Sequence, residues 1–343
     1  MKRIKFGSTF LFCALSTMSI SAEESYIAPL AQESLLLDIA KTEDQYIAVG
    51  ERGHVLRSTD GDNWQQESTP TLSTLTAITT HSGKSWAVGH DAVIIHQSSK
   101  DKPWEVQRFS PELEKPLLDV HFINDKMGIA IGAYGVYMTT EDSGQNWTQV
   151  VHSQFLQPDD LLYLEEIRLE DESFYQSELV SILPHLNRIT QVGNTLYIAG
   201  ESGLIAKSSD FGQSWERMEV TYFGSFFDIQ ALDDGQVVAV GLRGNIYQLA
   251  DQNSRWVAID SGITASLNSI VPLDGGEFLA IGNSGYVVCV NAGKVATYHY
   301  DDGKALNAAL YSQNHVVAVS AVGAKKFAYQ AQQTECERIG ESL

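Results

Sequence analysis

The chain has 343 residues, with 23 Lys and Arg against 43 Asp and Glu, and a formal net charge of −20 at pH 7. Nucleic-acid binding draws on clustered cations that displace counterions, so this balance argues against a nucleic-acid partner. It favours solubility and repels acidic surfaces, and the length fits either two ordinary domains or one closed ring of repeats.

The chain opens on what reads as a signal peptide over residues 1–22. Lys2, Arg3 and Lys5 precede an apolar stretch over residues 6–20, and Ser21-Ala22 offer small residues for cleavage. The stretch is too short to span a bilayer as a mature helix, and the bulky Phe12 before Cys13 argues against a lipidated cysteine. No later stretch is long and apolar enough to cross a membrane. The expectation is a periplasmic, soluble protein with no direct membrane insertion. Without the leader, 20 basic residues face 43 acidic ones, a net charge near −23.

From residue 23 to residue 335 the chain repeats itself about every forty residues. A glycine hairpin marks the period: Gly50-Glu51-Arg52-Gly53, Gly132-Ala133-Tyr134-Gly135, Gly200-Glu201-Ser202-Gly203, Gly241-Leu242-Arg243-Gly244 and Gly282-Asn283-Ser284-Gly285, with altered copies at Gly89-His90-Asp91-Ala92 and Ser320-Ala321-Val322-Gly323. A second column, Leu36, Leu75, Leu117, Leu186, Phe226, Leu267 and Leu306, steps by 39, 42, 69, 40, 41 and 39 residues. A third, Trp64, Trp104, Trp147, Trp215 and Trp256, follows later in the unit. Short β-branched and aromatic runs between Gly, Asp, Asn and Ser turns predict four antiparallel strands per unit. Seven such units predict an all-β, seven-bladed β-propeller of four-stranded blades. The last unit lacks a fourth strand after residues 325–330, and residues 25–30 are expected to supply it and close the ring. Residues 336–343 form a C-terminal tail. Cys289 and Cys336 either form a disulfide that ties this tail down or remain a buried and a free thiol.

The turn Ser/Thr-x-Asp-x-Gly-x-x-Trp, intact over residues 140–147 and 208–215 and one residue shorter over 58–64, is the Asp-box of BNR repeats. Its residues Asp60, Trp64, Asp142, Gly144, Trp147, Asp210, Gly212 and Trp215 are expected to be structural. The carboxylate accepts turn amides, glycine takes a conformation closed to side chains, and tryptophan packs between blades.

In an up-and-down blade the second-to-third turns and the connections between blades share one end of the ring. The Asp-boxes lie on the other. Three unusual features therefore converge on the first end: the glycine turns, an insertion over residues 151–184, and the aromatic loop Tyr222-Phe223-Gly224-Ser225-Phe226-Phe227. Loops on a rigid scaffold are where binding concentrates. The insertion carries Asp159, Asp160, Glu165, Glu166, Glu170, Asp171, Glu172 and Glu178 against a lone Arg168, and Tyr175, Leu179, Ile182 and Leu183 have helical spacing. The candidate partner-binding residues are Arg52, Tyr134, Asp159, Asp160, Glu165, Glu166, Tyr222, Phe223 and Arg243. Phe226, in the first-strand column, is assigned to packing.

The sequence predicts no enzyme. A sialidase needs an arginine triad and a Phe/Tyr-Arg-Ile-Pro start, and the arginines here fall on turns and strand ends. A paired-propeller glycosidase needs two carboxylates across a cleft, and no such pair stands out; no Gly-x-Ser-x-Gly or nucleotide loop occurs. His90, His121, His185 and His299 lack metal spacing, and the acidic insertion lacks the ligand pattern of a calcium loop. No metal and no cofactor is expected.

The phrases Leu117-Leu118-Asp119-Val120-His121-Phe122, Gly128-Ile129-Ala130-Ile131-Gly132 and Gly135-Val136-Tyr137, with the Asp-box after them, resemble the photosystem II assembly/stability factor family of seven-bladed propellers, over residues 28–328. His185-Leu186-Asn187-Arg188-Ile189 and the 222–227 loop look closer to its non-photosynthetic bacterial branch, exported proteins often encoded beside RND-type (resistance-nodulation-division) transporters. The resemblance implies a non-enzymatic protein that binds a partner protein and assists an inner-membrane complex, an RND-type transporter first among candidates; a monomer is expected. The alternative is a glycan-binding or glycan-hydrolysing Asp-box propeller. Photosynthetic members present an arginine-rich patch built partly on Gly-x-Arg-Gly turns; here only Arg52 and Arg243 occupy that place among seven turns.

Overall fold

The computed structural model of the chain describes residues 23–250 and 255–328. Each repeat unit becomes one antiparallel sheet, and the described residues form seven: six of four strands and one of three. The fourth unit is typical, with strands Leu186–Val192, Thr195–Gly200, Ile205–Ser208 and Glu216–Arg217 paired in that order. Four of the seven second strands, Tyr46–Gly50, Gly128–Gly132, Val237–Gly241 and Phe278–Gly282, are buried at every position. Continuous apolar runs of this kind mark strands covered on both faces, here by the sheets on either side. The outermost strands are the opposite case, and both residues of Thr148–Gln149 are exposed.

The innermost strands begin at Leu36, Leu75, Leu117, Leu186, Phe226, Leu267 and Leu306, the column read from the sequence. Consecutive inner strands touch around the axis, and Leu306–Ser312 returns to touch Leu36–Lys41. All seven carry a register shift after the column residue. A bulge of this type takes one residue out of the ladder and re-aims its neighbours. The residue after the column and the one following it are thereby turned sideways, towards the next sheet.

Those two positions bond every sheet to the next. Thr76 Oγ1 donates to the Leu117 carbonyl at 2.7 Å, Asn187 Nδ2 to Phe226 at 2.7 Å, Asn268 Nδ2 to Leu306 at 3.0 Å, and Asn307 Nδ2 to Leu36 at 2.7 Å. Where the first position is apolar (Leu37, Leu118, Phe227), the second is an aspartate. Asp38, Asp119 and Asp228 then accept the amides of Ile78 at 3.0 Å, Ile189 at 2.8 Å and Ile270 at 2.7 Å. All seven junctions are crossed in this way, and the Asn307 bond is the one of this set between the last sheet and the first, where Lys41 Nζ also donates to Ser312 Oγ and Lys326 Nζ to Asp60 O.

The amino-terminal segment behaves otherwise than expected. Residues 25–30 form no strand, and Ser25 N donates to the Thr69 carbonyl while Gln66 Oε1 accepts from Ala28 N. Both partners lie at the outer edge of the first sheet, so the segment covers that edge. It does not extend the third strand of the seventh sheet, Gly323–Ala328. Ala31 joins the apolar cluster at this junction, where Leu36, Ile39, Tyr46 and Leu56 of the first sheet meet Ala308, Val317 and Val319 of the seventh.

The Asp-boxes are built as their chemistry requires. Asp60 Oδ1 accepts from the amides of Asp62 and Asn63, Asp142 Oδ1 from Asn146, and Asp210 Oδ1 from Ser214. Hydrogen bonds from Asn63 hold Asp60 well below the usual carboxylate range, and those from Ser214 hold Asp210 at about 2. Gly212, at φ 84°, lies against the preceding sheet, with the Tyr137 hydroxyl 2.4 Å from where a Cβ would stand. Tyr137 Oη donates to its carbonyl at 3.0 Å. Trp64, Trp104, Trp147, Trp215 and Trp256 all join the apolar clusters. Cys289 is fully buried and disulfide-bonded. Cys336, the partner considered for it, lies outside the described residues, as do the leader and the tail.

Asn307→Ala should cost about 1–2 kcal/mol, because it leaves the Leu36 carbonyl unpaired at the junction of first and last sheets. Hydrogen exchange checks this: amides of the first and seventh sheets should lose more protection than those of the third and fourth. Uniform loss would mean that this junction holds nothing particular.

Candidate functional site

The glycine turns and the inter-sheet connections share one end of the ring through main-chain bonds. Glu51 N donates to Leu35 O at 3.1 Å, Gly135 N to Pro184 O at 2.9 Å, and Gly203 N to Gly224 O at 2.8 Å. In the six turns that begin with glycine, that residue is dictated by crowding: a Cβ on Gly50 would stand 2.1 Å from the Leu35 carbonyl oxygen. The third position is left-handed although it is not glycine in six of the turns: Arg52 (φ 54°), Asp91 (58°), Tyr134 (51°), Ser202 (54°), Arg243 (57°) and Ser284 (57°). L-residues adopt this conformation at a cost of roughly 1 kcal/mol.

The insertion is ordered as two helices, α1 (Pro158–Glu170) and α2 (Glu172–Ile182), where the sequence pattern predicts one. The predicted seam holds, with Leu179 and Leu183 buried and Tyr175 and Ile182 packed beside them. Asp171 ends α1 and caps α2 by accepting from Ser173 N and Phe174 N. The pair is seated between two glycine turns. On one side Leu183 fills the space beside Gly135, and Lys115 Nζ donates to Val180 O. On the other, Arg217 donates to Phe155 O and Ser202 O, each at 2.7 Å, and Gln157 Nε2 to Ser202 O at 2.9 Å. Burial pulls the Arg217 guanidinium down to about 10, which leaves it charged at neutral pH.

The expected binding residues divide by environment. Asp159, Glu165 and Glu166 are exposed on α1, and Asp160 is half-buried on the Arg217 side. Tyr134 is exposed, edge-on to His185 at 4.5 Å, with Lys115 Nζ 5.5 Å from its ring centre. Arg243 is exposed, and Arg52 Nη1 donates to Tyr26 Oη at 3.4 Å. Tyr222 packs against Phe226 and Tyr247 and donates to Leu242 O, whereas Phe223 beside it is 82% exposed. The loop therefore presents Phe223 and tucks Tyr222 away. Phe226 is fully buried, as its column position requires.

One constellation was not anticipated. Two residues beyond the column, the inner strands read Asp38, Ala77, Asp119, Arg188, Asp228, Ser269 and Ala308. Arg188, one of the arginines expected on a turn or strand end, lies inside an inner strand and faces the axis. Its Nη1 contacts Asp38 at 3.2 Å and Asp119 at 3.3 Å, and its Nε lies 3.3 Å from Asp228 without hydrogen-bond alignment. Burial pushes Asp119 up to about 6 and raises Asp228, while Arg188 pulls both back. Burial lowers the guanidinium, but the three carboxylates outweigh it and hold it well above its ordinary value. An axial cavity of about 310 Å³ borders this ring and is lined also by His121, Gln191 and Gln230. Burial lowers His121, whose Nε2 pairs with Gln191 Oε1 at 2.9 Å. Among the described residues no group of three or more His, Cys, Asp or Glu could hold a metal ion.

Arg188→Met should destabilise the protein by about 3–5 kcal/mol, because it strands three buried carboxylates without a cation; denaturant unfolding reads the loss. Asp119 has the opposite sign to a paired surface carboxylate. Its native value of about 6 lies above the unfolded value, so its contribution is fully present below about pH 4 and is lost as pH rises through about 6. Asp119→Asn should therefore gain on the parent between about pH 5 and pH 7.5. A parallel pair of stability curves would show that Asp119 does not titrate there.

With this geometry in place, comparison with known proteins gives consistent results. The family described as "Photosynthesis system II assembly factor YCF48" matches residues 19–155 and 100–336. The photosystem II assembly lipoprotein Ycf48 of Prochlorococcus marinus is 24% identical over 203 residues, covering 50% of this chain and 57% of that protein. The chloroplastic stability/assembly factor HCF136 of Arabidopsis thaliana is 25% identical over 160 residues, covering 45% of this chain and 34% of that protein. The chain thus spans about half the length, or less, of these relatives. Among solved structures, YCF48 bound to D1 peptide superposes with a TM-score of 0.65 at 14% identity, over 90% of this chain and 96% of that one. YCF48 from Cyanidioschyzon merolae gives 0.65 at 16% identity, over 91% and 100%. The superpositions bear on the fold, and the family match spans nearly all the described residues: the chain belongs to the photosystem II assembly factor YCF48 family of β-propellers.

Proposed function

We propose that this protein is a non-enzymatic, exported propeller that binds a partner protein and assists assembly or operation of a membrane complex. In this reading the seven sheets are the blades of one closed ring. One observation carries the proposal: the α1–α2 pair, Phe223 and the side chains held in left-handed turns all stand on the same end of a rigid scaffold. Glycine would remove the backbone cost at those turns, so the side chains kept there represent strain accepted for display. The YCF48 solved with a D1 peptide supports peptide or protein binding as the mode. An RND-type transporter is the first candidate complex, supported by the likeness of residues 185–189 and 222–227 to exported relatives encoded beside such transporters. No helix among the described residues is long and apolar enough to cross a membrane, and we place the protein in the periplasm. The axial carboxylates are committed to main-chain amides and Arg188, which favours a structural role over acid–base chemistry.

Deleting residues 159–178 should leave the ring folded and abolish crosslinking to the partner in intact cells. Undiminished crosslinking would overturn the reading. Arg52→Gly with Arg243→Gly should keep or raise the melting temperature, by up to about 1 kcal/mol of stability per site, and weaken capture. If stability rises while capture is unchanged, these two arginines are not part of the face.

A further inference from the structure

We infer that the outer face of α1 and the start of α2 seat a cationic amphipathic segment of the partner. The inference rests on the partner-binding reading above and narrows it to a chemistry. The inner side of the pair is satisfied, since Leu164, Leu179 and Leu183 are buried against the ring. The outer side nevertheless carries Leu162, 68% exposed, and Leu169, 81% exposed, seven residues apart and so on one helix face. Tyr163 on α1 and Phe174 at the start of α2 are exposed as well. Single exposed leucines are ordinary, but an apolar stripe on an ordered helix, with no other described residue over it, marks an interaction surface.

Charge selects the occupant. Glu165, Glu166, Glu170 and Glu172 flank the stripe, and Arg168 is already engaged, 3.3 Å from Glu172 and 5.3 Å from the Tyr175 ring. The helix dipole accounts for Glu172 in the first turn of α2 but opposes Glu170 in the last turn of α1, so it does not explain Glu165, Glu166 and Glu170. A second copy would bring the same acidic face and be repelled, and an anionic bilayer would be repelled likewise. A helix with apolar residues on one side and Lys or Arg at its margins meets both demands, its apolar side on Leu162 and Leu169 and its cations on Glu165 and Glu166.

The test uses the full chain and a fluorescent amphipathic Leu/Lys peptide, read by anisotropy, with a Leu/Glu peptide as control. Leu162→Ser with Leu169→Ser, and separately Glu165→Gln with Glu166→Gln, should each weaken binding by about tenfold or more. Asp233→Asn with Asp234→Asn, which removes the same charge from the opposite end, should not. Equal weakening by that control, indifference to both hairpin pairs, or binding of the Leu/Glu peptide would overturn the inference. So would a dimer in light scattering that the leucine pair dissolves. If the hairpin pairs are silent while deletion of residues 159–178 still abolishes partner crosslinking, the cationic occupant falls and the partner-binding reading stands.

Discussion

A ring of sheets has a weak point that a stack does not: every junction must close, and the junction between first and last is closed by residues far apart in sequence. Here each junction is crossed near the axis by one side chain bonded to the next strand's main chain, Asn307 to Leu36 included. The bulge after the column residue makes this possible, because it frees two positions per strand from the ladder. When the first is Thr or Asn it donates to a carbonyl; when it is apolar, the second is Asp and accepts an amide. Two chemistries thus do the same work, and no junction among the described residues lacks one.

The aspartate solution has an electrostatic consequence. Burial at the axis opposes ionisation of Asp119 and Asp228, and at Asp119 the neighbouring Asp38 adds to it. Arg188 enters from the inner strand of the fourth sheet and contacts all three, so one cation serves three junctions at once. The alternating donors of the other four junctions add no charge. The ring tolerates aspartates at the axis because they are few and share a counterion.

The repeat period, the strand order, the Asp-boxes and the position of the insertion were legible because each rests on residues that recur at a fixed spacing. The axial ring was less legible because its members differ: Asp, Ala, Arg and Ser do not look like a column until the leucine column is extended by two residues. Helix α1 was missed because Leu161, Leu162, Tyr163 and Leu164 run consecutively, without the 3.6-residue period that marked α2. The amino-terminal segment was expected in the seventh sheet by symmetry with the others. Its Ala28 amide and Ser25 side chain instead find Gln66 and Thr69 beside the first. Pairing by symmetry describes the unit, and local hydrogen-bonding partners decide the ends.

The two ends of the ring carry different kinds of structure for a physical reason. Asp-box turns satisfy their own amides with a carboxylate and are bonded to the sheet before them, as Tyr137 to Gly212, Gln107 to Ser143 and Lys326 to Asp60. The glycine turns rest on the inter-sheet connections, with left-handed side chains projecting outwards. The α1–α2 pair is held there by Leu183 and Arg217, through contacts to turns and connections. None of these contacts involves the axial ring. Loops at this end can therefore change length and charge without disturbing the closure of the ring. That separation explains how this chain can share a fold with photosystem II assembly factors while carrying an acidic, apolar hairpin on its loop-bearing end.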